Sequence, residues 1–348
     1  MGAFPALRAG NRAFRGSASL HSLRSAQRTL RASPIPCASG KKFPAPALLP
    51  LLLGLALAFA GCGGENRGPE RTLTDPSGGR IAVPAVLERI VSTAPSNTEI
   101  IAALGFADKI VAMDKYSASV EGVSGEPVLI DFAYPDGEVI LGLAPDIVFA
   151  AGHNQTVSGT DPFRLIRELG TPVVYIPTSH SIGDIYRDIR FIAEALGVPE
   201  KGETLAGDMR EQIEGIAKTA SAVTEKTPVY FEISPFPYMV TFGEDTFLNE
   251  MISVIGAVNI FSGEKGWFSP APEAVIEGNP GVILTLTGMA DNPLEDMRRR
   301  PGFGAIHAVK NNRVYSIDAD SASRPSHHIV PALKQMAAAV YPDLFPAF

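Results

Sequence analysis

An aromatic residue and a carboxylate recur at the same spacing in the two halves of this chain. Phe132 lies six residues before Glu138, and Trp267 lies six residues before Glu273. Seven residues after each glutamate, a proline opens a short apolar run. Aromatic rings bind flat apolar surfaces, and exposed carboxylates pair with guanidinium groups. The repeat predicts two similar lobes that hold a ligand between their aromatics and present their carboxylates to a partner. Similar βα units alone could also produce the same order of helix, proline and strand.

The N-terminal segment has the composition of a secretion signal. Residues 1–61 contain eight Lys or Arg and no Asp or Glu, and they end in an apolar run directly before Cys62. This run is too short for a membrane span but suits a signal peptide. The residues around Cys62 resemble a bacterial lipoprotein processing site, so we expect residues 1–61 to be removed and Cys62 to carry lipid. The first 40 residues are also Arg- and Ser-rich like a transit peptide, and a translation start downstream of Met1 would explain them.

Cysteine content and charge exclude several classes of function. Cys37 and Cys62 are the two cysteines of the sequence, so the part after the lipid site has no thiol for a disulfide, a nucleophile or a metal. Removal of residues 1–61 leaves 22 basic against 37 acidic side chains, a net charge of −15. A chain this acidic is not expected to bind nucleic acid.

Short apolar runs alternate with helical patterns over the rest of the chain, which predicts parallel sheets covered on both faces. We expect a polar tether at 62–71, an N-terminal α/β lobe at 72–198 and a C-terminal α/β lobe at 224–348. Residues 199–223 carry one apolar stripe at helical spacing and are predicted to form a long helix that bridges the lobes and limits their opening. The stripe consists of Leu205, Met209, Ile213, Ile216 and Ala220.

The order of these segments resembles a known family. Residues 89–99 (RIVSTAPSNTE), the segments that begin at Phe132 and Trp267, and the ending RVYSID followed by SRP at 323–325 are similar to the lipid-anchored substrate-binding proteins of ABC importers for cobalamin, ferric siderophores and haem. That resemblance implies two α/β lobes on one long helix and a cargo, not a catalytic cofactor, in the cleft. It also implies a permease dimer with ATPase subunits as the partner, and Glu138 and Glu273 as the residues that contact the permease. The implied location is the outer face of a membrane, which the protein contacts through its lipid anchor alone.

The resemblance also gives candidate ligand contacts, with cobalamin slightly favoured because the aromatic-to-glutamate spacing is most similar to that of cobalamin binders. Six aromatics and two residues of the loop after the last strand form this set: Tyr116, Phe132, Tyr134, Phe236, Tyr238, Trp267, Asp320 and Arg324.

Two other functions deserve comparison with cargo binding. His153 and His180, with His327 and His328, could form an imidazole site like those of zinc and manganese importers, but no convincing carboxylate accompanies them. An enzyme with its active site in the cleft is the other alternative. The sequence contains no nucleophile elbow, P-loop or dinucleotide-binding glycine motif, which favours a protein that binds without chemistry.

Overall fold

The computed structural model describes residues 70–75, 78–155 and 161–346. The predicted signal peptide, Cys62 and most of the tether lie outside this part of the chain. The first described element is an antiparallel hairpin of β1 (Glu70–Thr74) and β2 (Arg80–Pro84). The last two tether residues are therefore in a strand, where Arg71 Nη2 donates to the carbonyl of Ala195 at 2.9 Å.

A five-stranded parallel sheet forms the N-terminal lobe, with strand order β5-β4-β3-β6-β7. Its two central strands are buried along their whole length because helices cover both faces. The strands are β3 (Ile90–Ser92), β4 (Ile110–Asp114), β5 (Val128–Ile130), β6 (Ile147–Ala151) and β7 (Val173–Ile176), and the helices are α1 (Pro95–Ile101), α2 (Gly137–Gly142), α3 (Arg164–Glu168) and α4 (Ile182–Leu196).

One long helix, α5 (Pro199–Ala220), follows the N-terminal lobe. Its 22 residues span about 33 Å at the α-helical rise. Four of the five predicted stripe residues are buried, whereas Leu205 is partly exposed. The helix ends three residues earlier than predicted, where the Ser221 hydroxyl donates to the carbonyl of Lys218 at 2.6 Å.

The C-terminal lobe contains a four-stranded parallel sheet with strand order β10-β8-β12-β13 and a small antiparallel pair, β9 with β11. Its strands are β8 (Pro228–Glu232), β9 (Thr241–Phe242), β10 (Val258–Asn259), β11 (Trp267–Phe268), β12 (Val282–Leu286) and β13 (Val314–Ile317). Its helices are α6 (Phe247–Val254), α7 (Pro272–Gly278), α8 (Pro293–Arg299), α9 (His307–Lys310), α10 (Ala319–Ser323) and α11 (Ile329–Val340).

A single apolar core connects the two lobes through α5. The buried stripe of α5 packs in the same cluster as residues of α1 and α4 on one side and of α6 and α11 on the other. The predicted architecture, two parallel-sheet α/β lobes on one bridging helix, is confirmed. Across the described ranges, every helix is too short or too polar to cross a bilayer.

Candidate functional site

The carboxyl ends of the strands in the two lobes face each other. Parallel strands bring all their carboxyl ends to one edge of a sheet, and loops at that edge collect binding residues. Tyr116 follows β4, and its carbonyl accepts a hydrogen bond from Arg324, which follows β13 and α10, at 2.9 Å. At the other end of the interface, His180 follows β7 and its Nδ1 lies 3.1 Å from the carbonyl of Asp245. Loops from both sheet edges thus meet at the boundary between the lobes.

Three rings lie together in loops at the carboxyl edge of the N-terminal sheet. Tyr116 and Phe132 meet edge to face with ring centroids 5.8 Å apart, and Phe132 packs on His153 at 4.3 Å. The carbonyl of Phe132 accepts a hydrogen bond from Asn154 Nδ2 at 2.9 Å. The Asn154 side chain in turn accepts one from Thr93 Oγ1 at 2.7 Å, so the ends of β3 and β6 fix the loop that carries Phe132.

Tyr134 lies two residues farther along the same loop and is 70% exposed. Asp131 Oδ1 accepts hydrogen bonds from the main-chain NH groups of Ala133 and Tyr134, both at 2.9 Å, which closes a tight turn. Lys115 donates to Asp131 Oδ2 at 2.8 Å, and this bond is the main reason that the pKa of Asp131 is lowered. The loop therefore presents Tyr134 outward from a fixed base.

The C-terminal lobe has its own exposed rings. Trp267 follows Gly266, which is typical of a loop, but the residue lies in β11 and pairs with Phe242 of β9. Its indole meets the Phe242 ring edge to face, with the ring centroids 5.6 Å apart. The side chain remains 38% exposed. Phe236 and Tyr238, in the loop between β8 and β9, are 50% and 80% exposed. Exposed rings of this size favour contact with an apolar ligand or partner.

Glu138 and Glu273 occupy equivalent positions in the two lobes. Each is the second residue of its helix, α2 and α7, and each is exposed. Both helices lead into a central strand of a parallel sheet, β6 or β12. Among the described residues, neither carboxylate takes part in an ion pair.

Arg324 and Asp320, two predicted ligand contacts, lie where the lobes touch. Arg324 is only 8% exposed, and its Nη1 is 2.9 Å from Glu99 Oε1 in α1. Asp320 Oδ1 is 2.7 Å from Arg324 Nη2, and Asp320 Oδ2 accepts a hydrogen bond from Ser119 Oγ at 2.9 Å. The Arg324 guanidinium is thus directed at the protein itself, and Asp320 spans the boundary between the lobes.

Glu99 is a functional candidate that the sequence did not reveal. It was read as an early acid of a helix, yet its side chain is buried and accepts hydrogen bonds from Arg324 and from Ser326 Oγ. Burial alone would raise the pKa of Glu99, but His328, Ser326 and Arg324 together lower it. Arg324 is 225 residues away along the chain, so no local pattern could have indicated this contact.

The four histidines do not assemble a metal site. His153 Nε2 lies 3.0 Å from the carbonyl of Phe132, while His180 points to the other lobe. His328 Nδ1 lies 3.5 Å from Glu99 Oε2, and the ring of His327 stacks on that of His328 at 4.2 Å. Within residues 70–75, 78–155 and 161–346, no three His, Cys, Asp or Glu side chains come together in a way that could hold a metal ion.

Comparison with known proteins decides the family. The family model described as periplasmic binding protein matches residues 90–321, which include both sheets and the bridging helix. The chain belongs to the periplasmic binding protein family. This periplasmic binding protein is 31% identical over 311 residues to an uncharacterized ABC transporter substrate-binding lipoprotein, YvrC, of Bacillus subtilis, and the alignment covers 84% of the chain and 96% of the relative.

Two further relatives carry names that specify a ligand. A vitamin B12-binding protein of Vibrio cholerae is 28% identical over 265 residues, or 74% of this chain and 90% of that protein. The solved apo structure of the periplasmic heme-binding protein RhuT of Roseiflexus sp. RS-1 superposes with a TM-score of 0.66 at 25% identity, covering 74% of this chain and all of that one.

These matches confirm three predictions about this periplasmic binding protein. It is a substrate-binding component of an ABC importer, it is not an enzyme, and it resembles cobalamin, haem and iron-complex binders in fold. Its place is the extracytoplasmic cell envelope.

Proposed function

We propose that this protein captures cobalamin in the cleft between its lobes and delivers it to an inner-membrane permease. The observation that carries the proposal is a set of rings in each lobe, half-buried Phe132 beside exposed Tyr116 in one and exposed Trp267 in the other, which we place on opposite sides of the cleft. A flat macrocycle buries a large apolar area against such rings. The vitamin B12-binding relative supports the same ligand class.

The charge around these rings favours cobalamin over haem. Lys115 lies beside Tyr116 but is paired with Asp131 at 2.8 Å. Lys265, two residues before Trp267, lies 3.8 Å from Asp245. Haem carries two propionates that would need free cations, whereas the corrin ring of cobalamin carries neutral amides and only its nucleotide tail is anionic. Each of these lysines already has a carboxylate within 4 Å, although both pairs are exposed, and this arrangement favours the less charged ligand.

Fluorescence of Trp267 tests the proposal directly, because it is the one tryptophan of the sequence. Residues 63–348 would be titrated with cyanocobalamin, hemin, a ferric hydroxamate and a ferric catecholate, with correction for ligand absorbance. We expect saturable quenching by cyanocobalamin at a 1:1 ratio, and Trp267→Ala should weaken binding by about tenfold or more in calorimetry. Saturation by hemin or a siderophore instead would overturn cobalamin as the ligand, and no binding of any of the four would overturn the whole ligand class.

We also infer that Glu138 and Glu273 bind arginines of the two permease subunits. Their exposure, their lack of an ion pair among the described residues and their equivalent positions at the starts of α2 and α7 support this role. Carboxylates that meet guanidinium groups set orientation and association rate more than affinity.

The anchor is the third part of the proposal. Lipid on Cys62, followed by the short polar stretch before β1, would keep the protein at the membrane surface and leave the cleft free. Metabolic labelling with a fatty acid should tag the wild-type protein and not Cys62→Ser. Equal labelling of both would remove Cys62 as the lipid site.

A further inference from the structure

Arg324 joins the two lobes from a buried position. It follows α10 in the C-terminal lobe, and three of its partners belong to the N-terminal lobe: Glu99, Tyr116 and Ser119. The guanidinium divides its donors between them, since Nη1 contacts the Glu99 carboxylate and Nη2 contacts the other two. Such a planar fork holds its donors in a fixed geometry toward two separate pieces of chain, whereas an ammonium is a compact charge with rotatable donors.

Glu99 anchors one arm of this fork. Its Oε1 pairs with Arg324 Nη1 at 2.9 Å, while its Oε2 accepts a hydrogen bond from Ser326 Oγ and lies 3.5 Å from His328 Nδ1. Three side chains of the C-terminal lobe therefore converge on one carboxylate of α1. A buried carboxylate held by this many donors is locked in position.

The other arm of the fork holds the segment that carries the Tyr116 ring. Arg324 Nη2 donates to the carbonyl of Tyr116 at 2.9 Å and to Ser119 Oγ at 3.1 Å. From the opposite side, Asp114 Oδ1 accepts a hydrogen bond from the main-chain NH of Tyr116 at 2.8 Å. The backbone of Tyr116 is thus held between its own strand and the other lobe, while its ring stays 55% exposed beside Phe132.

We propose that Arg324 is a positioning residue of the cleft. Arg324 is anchored by Glu99 and holds the Tyr116 backbone, so it sets the position of the Tyr116 and Phe132 rings relative to the C-terminal lobe. Arg324 thereby affects ligand affinity through Tyr116 without touching the ligand itself. The effect on affinity rests on the proposed function, whereas the position of Tyr116 can be measured with no ligand present.

Arg300 offers a matched control. It is also a buried arginine, and it pairs with Glu232 and with Asp296, four residues before it. Arg324 has the same arrangement, with Glu99 and with Asp320 four residues before it. All partners of Arg300 in these pairs lie in the C-terminal lobe. Replacement of either arginine by lysine keeps a positive charge and removes the fork, so general loosening should be similar in both variants.

The test uses a reporter at the proposed point of action. In the background Tyr116→Trp with Trp267→Phe, the single tryptophan reports the exposure of position 116. We expect Arg324→Lys to raise the acrylamide quenching constant of that tryptophan about twofold, and Arg300→Lys to leave it unchanged.

With Tyr116 and Trp267 intact, Arg324→Lys should weaken binding of cyanocobalamin by about tenfold, the loss expected for one charge-assisted hydrogen bond.

Two outcomes would overturn the inference. One is a folded Arg324→Lys protein whose quenching constant and ligand affinity both equal those of the parent, and the other is an equal change in Arg300→Lys. If lysine prevents folding, the double variant Glu99→Gln with Arg324→Gln removes both charges together and is measured in the same way. A parent protein that binds no ligand would defeat the proposed function, while the ligand-free quenching comparison would still decide the role of Arg324.

Discussion

Asp188 in α4 is a buried carboxylate with an incomplete set of hydrogen bonds. Its Oδ2 accepts a hydrogen bond from Ser179 Oγ at 2.7 Å. Within the described part of the chain, Oδ1 has no hydrogen-bond donor, and Arg187 Nε lies 3.6 Å from it. Burial is the main cause that raises the pKa of Asp188 to about 6. An acid whose pKa is higher in the folded state than in the unfolded state destabilises the fold once it is ionised.

Replacement of Asp188 by Asn should therefore stabilise the protein at neutral pH. Asp188 holds its proton up to about pH 6 in the folded protein and loses it near pH 3.8 in the unfolded chain, so its own contribution to stability should fall as pH rises between these values and then stay level. We expect Asp188→Asn to raise the free energy of unfolding by about 1–2 kcal/mol at pH 7 and by roughly zero at pH 4. Urea unfolding at both pH values measures this.

Asp184, one turn earlier in α4, provides the contrasting control. It forms a capping box with Ser181, and although burial opposes ionisation, hydrogen bonds from His180 and Ser181 and the charge of Arg187 lower its pKa. Asp184→Asn should then destabilise the protein at pH 7 and lose that effect as the pH falls below about 4. A stabilised Asp184→Asn, or a destabilised Asp188→Asn at pH 7, would contradict the assignment of these two carboxylates.

At the scale of elements, helix α5 packs closely enough against α4 that a glycine is needed at one point. A Cβ atom built on Gly202 would lie 2.4 Å from Ala193 Cβ, while Gly207 and Gly215 of the same helix have open space around them. Glycine is about 1 kcal/mol less favourable than alanine inside a helix. The close contact at Gly202 outweighs that preference, whereas nothing offsets it at the other two positions.

Three alanine variants separate these effects. We expect Gly202→Ala to lower the free energy of unfolding by about 1–3 kcal/mol, because α4 and α5 must move apart. Gly207→Ala and Gly215→Ala should each raise it by about 0.5–1 kcal/mol through helix propensity. Chemical unfolding of the three proteins side by side measures this. Stabilisation by all three would show that α4 and α5 are not in tight contact at Gly202.

At the scale of the whole molecule, two features act together: a core that runs from one lobe to the other through α5, and two glutamates in equivalent positions on the two lobes. A continuous core resists bending between the lobes, so the spacing of Glu138 and Glu273 should change little when the ligand binds. A fixed spacing lets both carboxylates meet a two-fold symmetric partner with or without cargo.

Loss of both carboxylates should abolish transport and leave binding intact. In host cells that carry Glu138→Ala with Glu273→Ala, we expect uptake of the ligand to fall at least tenfold, since two charge-assisted contacts are lost, with an unchanged Kd in the fluorescence titration. Glu200 is a close control because, like Glu138 and Glu273, it is an exposed second residue of a helix, and like Glu273 it follows a proline. Its replacement, together with that of exposed Glu211, should preserve uptake. Lowered ligand affinity in the variant that lacks Glu138 and Glu273 would contradict their role in docking. An equal loss of uptake in the variant that lacks Glu200 and Glu211 would contradict it as well.

Patterns that are local along the chain were sufficient for the architecture. The apolar runs at 146–150, 282–286 and 314–317 match β6, β12 and β13 to within one residue, and the stripe of α5 predicted a long helix. Burial in a parallel sheet or along one helix face requires such a continuous local pattern. β4 and β5 were not predicted. The strand that contains Trp267, β11, has two residues, which is too short for a detectable period, so the sequence around it is typical of a loop.

The amino-acid sequence by itself determined the two-lobed fold, the family and the equivalent glutamates, because each depends on residue types at short, fixed spacings. Only the tertiary structure decided what Arg324 and Glu99 do. Their pairing joins residues 225 positions apart and depends on how the lobes meet, which no local spacing encodes. The same holds for Asp188 and Gly202, whose energetic roles come from burial and from the distance to a neighbouring helix, and both quantities exist only once the chain has folded.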